Sequence, residues 1–109
     1  MEVRDNLAGN RTDLDARLRD LLKTTNVYFQ PPASIKLKYP CIIYNLTAIP
    51  ALYADNRVYK THRRYQVTYV TSDPDDAFID TMLESFEMVS FDRHFTSDRL
   101  NHYIFTLYY

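Results

Sequence analysis

Leu14, Leu18, Leu21 and Leu22 recur at i, i+4, i+7 and i+8. On a chain wound at 3.6 residues per turn they form one apolar stripe, with Arg17, Arg19, Asp20 and Lys23 largely on the solvated side. Thr12 stands three residues before Asp15 in a loose capping box, so a helix is expected to begin at Thr12 and to end at Thr24-Thr25-Asn26. Residues 1–11 are polar and are expected to be flexible. Val27-Tyr28-Phe29 predicts a short strand stopped by Gln30-Pro31-Pro32, and Tyr39–Leu46 predicts a second, with Pro40 tolerable only at its start. Val58–Thr71 alternates, placing Tyr59, Thr61, Arg63, Tyr65, Val67 and Tyr69 on one face. This predicts one long strand paired with the second, in an extended hairpin whose tip near residues 53–58 projects beyond the domain.

Ser72-Asp73-Pro74-Asp75-Asp76 reads as a turn with acidic residues at a helix N-terminus, where the macrodipole favours them. The helix is expected over 75–87, burying Ile79, Met82, Leu83 and Phe86 with Phe78 beside them. Met88–Phe95 and Leu100–Tyr108 are strand-like, joined by Thr96-Ser97-Asp98-Arg99. The order α-β-β-β-α-β-β predicts an α+β fold: a mainly antiparallel sheet with two helices on one face and a projecting β-hairpin. At 109 residues a single domain, 1–109, accounts for the chain.

Composition narrows the chemistry. Gly9 is the only glycine, so the chain has no glycine-rich loop to cradle a phosphate or a dinucleotide and no nucleophile elbow. Cys41 is the single cysteine and lies in an apolar run, which reads as a buried, inert thiol. The one metal-like grouping would join Asp92, His94 and His102 across the last hairpin. With Phe95 opposite Leu100, however, His102 would face Arg93 and His94 would face Asn101, and no metal-ligand spacing is present. Serines lack a catalytic context, and Asp73, Asp75 and Asp76 are explained by the turn. The expectation is a non-enzymatic protein with no cofactor. The net charge of −1 lacks the basic excess of a general nucleic-acid binder, although Lys60–Arg64 offers a short basic cluster flanked by Tyr59 and Tyr65. The charged first twenty residues lack the apolar region of a secretion signal, and no apolar run is long enough to span a bilayer, so synthesis in the cytoplasm and no membrane association are expected.

Ten tyrosines and six phenylalanines turn attention to surfaces, because an apolar ring with a polar tip suits an interface that is half buried and half wet. The final strand alternates Tyr103, Phe105, Leu107 and Tyr109 with His102, Ile104, Thr106 and Tyr108, so both of its faces need cover, one of them expected from another subunit.

Asn26-Val27-Tyr28-Phe29-Gln30-Pro31-Pro32, Lys38-Tyr39-Pro40-Cys41-Ile42-Ile43-Tyr44, Tyr53-Ala54-Asp55-Asn56, Arg64-Tyr65-Gln66-Val67-Thr68, Asp73-Pro74-Asp75 and the closing Leu100–Tyr109 run together resemble the tail-completion proteins of long-tailed bacteriophages of Gram-positive hosts, also called tail terminators or head-to-tail joining proteins. The resemblance extends from about residue 14 to the end, and only Phe91-Asp92-Arg93-His94-Phe95 departs, being less aromatic. It implies a virion protein assembled in the host cytoplasm as a homo-oligomeric ring, typically a hexamer. Such a ring caps the tail tube, ends its polymerisation, meets the head connector and lets DNA pass without reading its sequence. A ring needs heterologous contacts. The residues expected to make subunit or partner contacts are Tyr53, Asp55, Asn56, Tyr59, Arg63, Tyr65 and Tyr69 on the hairpin and Tyr103, Phe105 and Tyr108 on the last strand. Alternatives are a head-side connector adaptor or stopper and, in another class, a small DNA-binding protein using Lys60–Arg64.

Overall fold

The computed structural model describes residues 11–54 and 57–109, with the backbone alone for 51–61. Its elements are α1 (Arg11–Leu22), β1 (Val27–Phe29), β2 (Cys41–Ala48), β3 (Ala51–Ala54), β4 (Arg57–Thr61), β5 (Arg64–Thr71), α2 (Phe78–Ser85), β6 (Val89–Ser97) and β7 (Leu100–Tyr108). Five strands form one sheet in the order β1-β2-β5-β7-β6, in which only the β1–β2 pair is parallel. Both helices lie on the same face of this sheet, giving the expected α+β architecture.

β3 and β4 form a two-stranded ribbon that carries the β2–β5 hairpin past the sheet. The uninterrupted Val58–Thr71 strand of the sequence reading is therefore divided, with His62 and Arg63 forming the link between β4 and β5. Because Ala48 pairs with Arg64 and Ala51 with Thr61, the gap opposite them is Ile49-Pro50, and Pro50 has no N–H to give the ladder. The break is written in the partner strand.

The core lies between the helices and one sheet face. Leu14 and Leu18 of α1 and Phe78 and Met82 of α2 cluster with Val27, Ile42, Tyr44, Tyr65, Val67, Tyr69, Phe105 and Leu107. Rings pack across the strands, Tyr44 with Phe29 and Tyr65, Tyr69 with Tyr103, and Phe105 with Phe91, and Tyr69 also meets Phe78 of α2. α2 is shorter than expected because Asp73 and Asp76 stay in the turn. The Asp73 carboxylate accepts the Asp75 N–H at 2.9 Å, and Asp76 accepts the Phe78 N–H at 2.9 Å and the Tyr69 hydroxyl at 2.5 Å. Ile79 is half-buried, whereas Leu83, expected inside, is exposed. Phe86 is buried beyond the end of α2, where the Arg17 guanidinium lies 4.4 Å over its ring and donates to the Ser85 carbonyl at 2.7 Å. A cation on the last carbonyls of α2 joins the two helices.

The expected capping role of Asp15 is replaced by a tertiary one, and α1 already includes Arg11. The carboxylate accepts the Tyr44 hydroxyl at 2.6 Å and the Arg19 Nε at 2.5 Å, while Arg11 donates to the Tyr44 oxygen at 3.2 Å. Burial alone would raise the Asp15 pKa, but these hydrogen bonds and the charges of Arg19 and Arg11 outweigh it and hold the carboxyl below its ordinary value.

With so little glycine, tight bends fall to other residues. Lys23 (φ 64°) ends α1, its N–H bonded to the Arg19 carbonyl at 2.8 Å, and Asp98 (φ 54°) and Arg99 (φ 65°) form a two-residue turn. Ser97 thus pairs with Leu100 and Phe95 with His102, two residues along from the register expected with Phe95 opposite Leu100. A two-residue turn of this kind draws Thr96 and Ser97 into the strand.

Two measurements follow. Asp15→Asn is expected to cost about 1–3 kcal/mol at neutral pH in urea unfolding, by leaving the Tyr44–Arg19 pairing incomplete. Since the folded carboxyl titrates below the unfolded one, its stabilisation is present above the unfolded value and is lost as pH falls through the folded value. The difference between wild type and variant therefore narrows on acidification. Arg99→Gly, which relieves a left-handed conformation, is expected to raise stability by about 1 kcal/mol in the same assay.

Candidate functional site

Strand parity decides which side chains meet the helices. On β5 and β7 the odd-numbered residues do so, and Tyr65, Tyr69 and Phe105 are 1%, 2% and 0% exposed. These three, expected at a subunit contact, are consumed by the chain's own core. Burial pushes the Tyr65 and Tyr69 phenols up, and the Asp76 hydrogen bond adds to the shift at Tyr69. Cys41 is buried and its thiol is pushed up to about 11, in keeping with an inert packing role.

The remaining expected residues divide by position. Tyr103 is half-buried, stacked on His94 at 4.7 Å and in contact with Phe91. Arg63 sits in the link between β4 and β5, its carbonyl accepting the Tyr109 N–H at 2.9 Å. Tyr108 is half-buried and pairs with Arg64 on the face away from the helices. Asp55 and Asn56 lie outside the described residues, and for Tyr53 and Tyr59 only the backbone is described.

The face opposite the helices carries Cys41, Ile43, Thr68, Val70, His102, Ile104 and Tyr108 in register across β2, β5 and β7. Neither described helix covers it. β7 is an interior strand, with Phe105 and Leu107 buried toward the helices and Ile104 on the other face 5% exposed, where the sequence reading expected one of its two faces to be covered by another subunit. β6 is the last strand of the sheet, nine residues long and almost wholly exposed. A bulge at Asp92, whose carboxylate accepts the Thr106 hydroxyl at 2.6 Å, places Phe91 on the helix side and Phe95 on the other. Phe91 and Phe95 are 43% and 40% exposed, and Leu83 and Met88 are exposed as well. Composition signalled such surfaces, but the candidate residues on β6 and α2 were missed in the sequence. Alternation alone gives no hint of the bulge or of which strand ends the sheet.

Groups considered for chemistry are dispersed. His94 Nε2 lies 2.9 Å from the Asn101 oxygen, and His102 stacks on Phe95 at 4.6 Å with Arg93 over that ring. The Arg93 expected opposite His102 is thus displaced by Phe95. Among the described residues no three His, Cys, Asp or Glu side chains converge as a metal site, and no helix is long and apolar enough to cross a membrane. In the basic cluster, Arg64 Nε donates to the Thr47 hydroxyl at 3.1 Å, on the face away from the helices, while the Lys60 side chain lies outside the described residues.

No family model, curated protein or solved structure matches the chain. The resemblance to tail-completion proteins rests on motif residues, and those described serve the framework: Tyr44 anchors α1, Asp73 shapes the turn before α2, and Arg64–Thr68 lies in the middle strand.

Core and edge aromatics are expected to separate cleanly. Phe105→Ala should cost about 3–5 kcal/mol in denaturant unfolding, and Phe95→Ala less than about 1 kcal/mol.

Proposed function

We propose that the chain is a non-enzymatic structural subunit of a bacteriophage head-to-tail junction. In this reading it assembles into a ring, typically a hexamer, that caps the tail tube, ends its polymerisation and offers a surface to the head connector, with DNA passing through the lumen. The observation that carries the reading is the sheet's incomplete closure. One face is sealed by two helices, while the long edge strand β6 is left with exposed Phe91 and Phe95, and a ribbon is carried away from the body. Free edges and exposed apolar groups of this kind suit a protein that is completed by neighbours. The motif resemblance supplies the particular assembly, and the use of aromatic residues in the framework agrees with a scaffold role.

Negative-stain images and native mass measurement of the purified protein are expected to show rings. Deleting the Tyr53–Val58 tip should leave a folded chain, by circular dichroism, that no longer assembles. Unchanged rings would remove the ribbon from the assembly contact, and enzymatic turnover or salt-sensitive retention on duplex DNA by an isolated monomer would favour the other classes.

A further inference from the structure

The two ends of the sheet differ in charge. At one end, the polypeptide from Tyr65 to Asp92 contains no lysine or arginine, and it supplies α2 and most of the first half of β6. Asp80, Glu84 and Glu87 of this segment are exposed, as are Leu83, Met88 and Phe91. At the other end, the segment from Leu21 to Ala54 contains no aspartate or glutamate. It includes β1 and the 30–40 loop, where Lys36 and Lys38 are exposed beside Ile35 and Tyr39, 37% and 45% exposed. Each of these two segments therefore joins apolar groups to charges of a single sign, apart from the adjoining Asp92 and Arg93 on β6, while α1 adds Arg17 at the end of α2 and the Asp15–Arg19 pair at the β1 end.

The β1 end is unsuited to strand addition. Its Val27 carbonyl accepts Arg19 at 3.2 Å and its Val27 N–H is held by the Thr25 carbonyl at 2.8 Å, so the backbone there is occupied by the chain itself. What this end presents is the side chains of the loop. The β6 end presents a strand edge, and the neighbouring α2 segment supplies exposed acidic side chains. The two surfaces are different and complementary, as a head-to-tail contact requires, and lie at opposite limits of one sheet, so that each copy can engage two neighbours.

We infer that the acidic β6–α2 end of one subunit docks on the basic 30–40 loop of a second copy, and that repetition of this contact forms the seam of the ring. This rests on the ring reading above and names the surfaces it would use. Apolar groups from Leu83, Met88 and Phe91 meet Ile35 and Tyr39, and the opposed charges set direction by making acidic-to-acidic and basic-to-basic contacts unfavourable.

The test uses two full-length charge-reversed proteins, Lys36→Glu/Lys38→Glu and Glu84→Lys/Glu87→Lys, with sedimentation and native mass measurement at low and high salt. Each alone opposes like charges at every seam, and is expected to assemble about tenfold or more less readily than wild type. Mixed in equal amounts, the two present one all-acidic and one all-basic partner, and are expected to recover rings of alternating composition. Recovery also shows that both variants are folded. Rings of either variant alone at wild-type yield and salt dependence, or no recovery on mixing, would overturn this seam while leaving the ring reading in place. A wild-type chain that remains monomeric at every concentration would overturn the ring reading and the seam with it.

Discussion

The placement of Asp15 against Tyr44 is the constraint on which the rest of the molecule turns. Tyr44 stands in β2 with no exposed surface, and a phenol at such depth must find a partner or lose the hydrogen bonds it made to water. Asp15 supplies it, with Arg19 and Arg11 balancing the charge, and α1 can satisfy this at only one height and rotation on the sheet. The same rotation lowers Leu14 and Leu18 into the aromatic layer. It also directs Arg19 onto the outer carbonyls of residues 25 and 27, so one helix closes the core and caps the β1 edge together.

Arg17 extends the arrangement to α2. By lying over Phe86 and Tyr109 and receiving the end of α2 through Ser85, it fixes the second helix beside the first. Two helices side by side are enough to seal one face of a five-stranded sheet and no more. The helices thereby determine what is left over, the exposed strand β6 at the margin of the sheet. The surfaces proposed for assembly are consequences of how the core is closed.

Glycine scarcity runs through the same design. Lys23, Gln30, Asp98 and Arg99 take left-handed backbone conformations that glycine occupies more easily. At Asp98-Arg99 the gain is a two-residue reversal that keeps β6 aligned along the length of β7. An extended edge is the result, and the Asp92 bulge then divides its two phenylalanines between the two sides.

The sequence by itself determined the fold class, both helices and the strands of the sheet, because leucine periodicity, β-branched runs and proline positions act over a few residues. It also carried the turn before α2, where Asp73 and Asp76 bond to nearby N–H groups as short acidic side chains do. Only the tertiary structure decided which tyrosines could meet a partner. Tyr65, Tyr69, Tyr103 and Tyr108 have the same chemistry and sit on adjacent strands, yet burial separates them, because it depends on which sheet face the helices occupy and on strand order. For the same reason, the charge separation between Lys36 and Glu84 could be counted along the chain but located only after folding. Opposite ends of a sheet are a relation in space, and strands distant in sequence must pair before it exists.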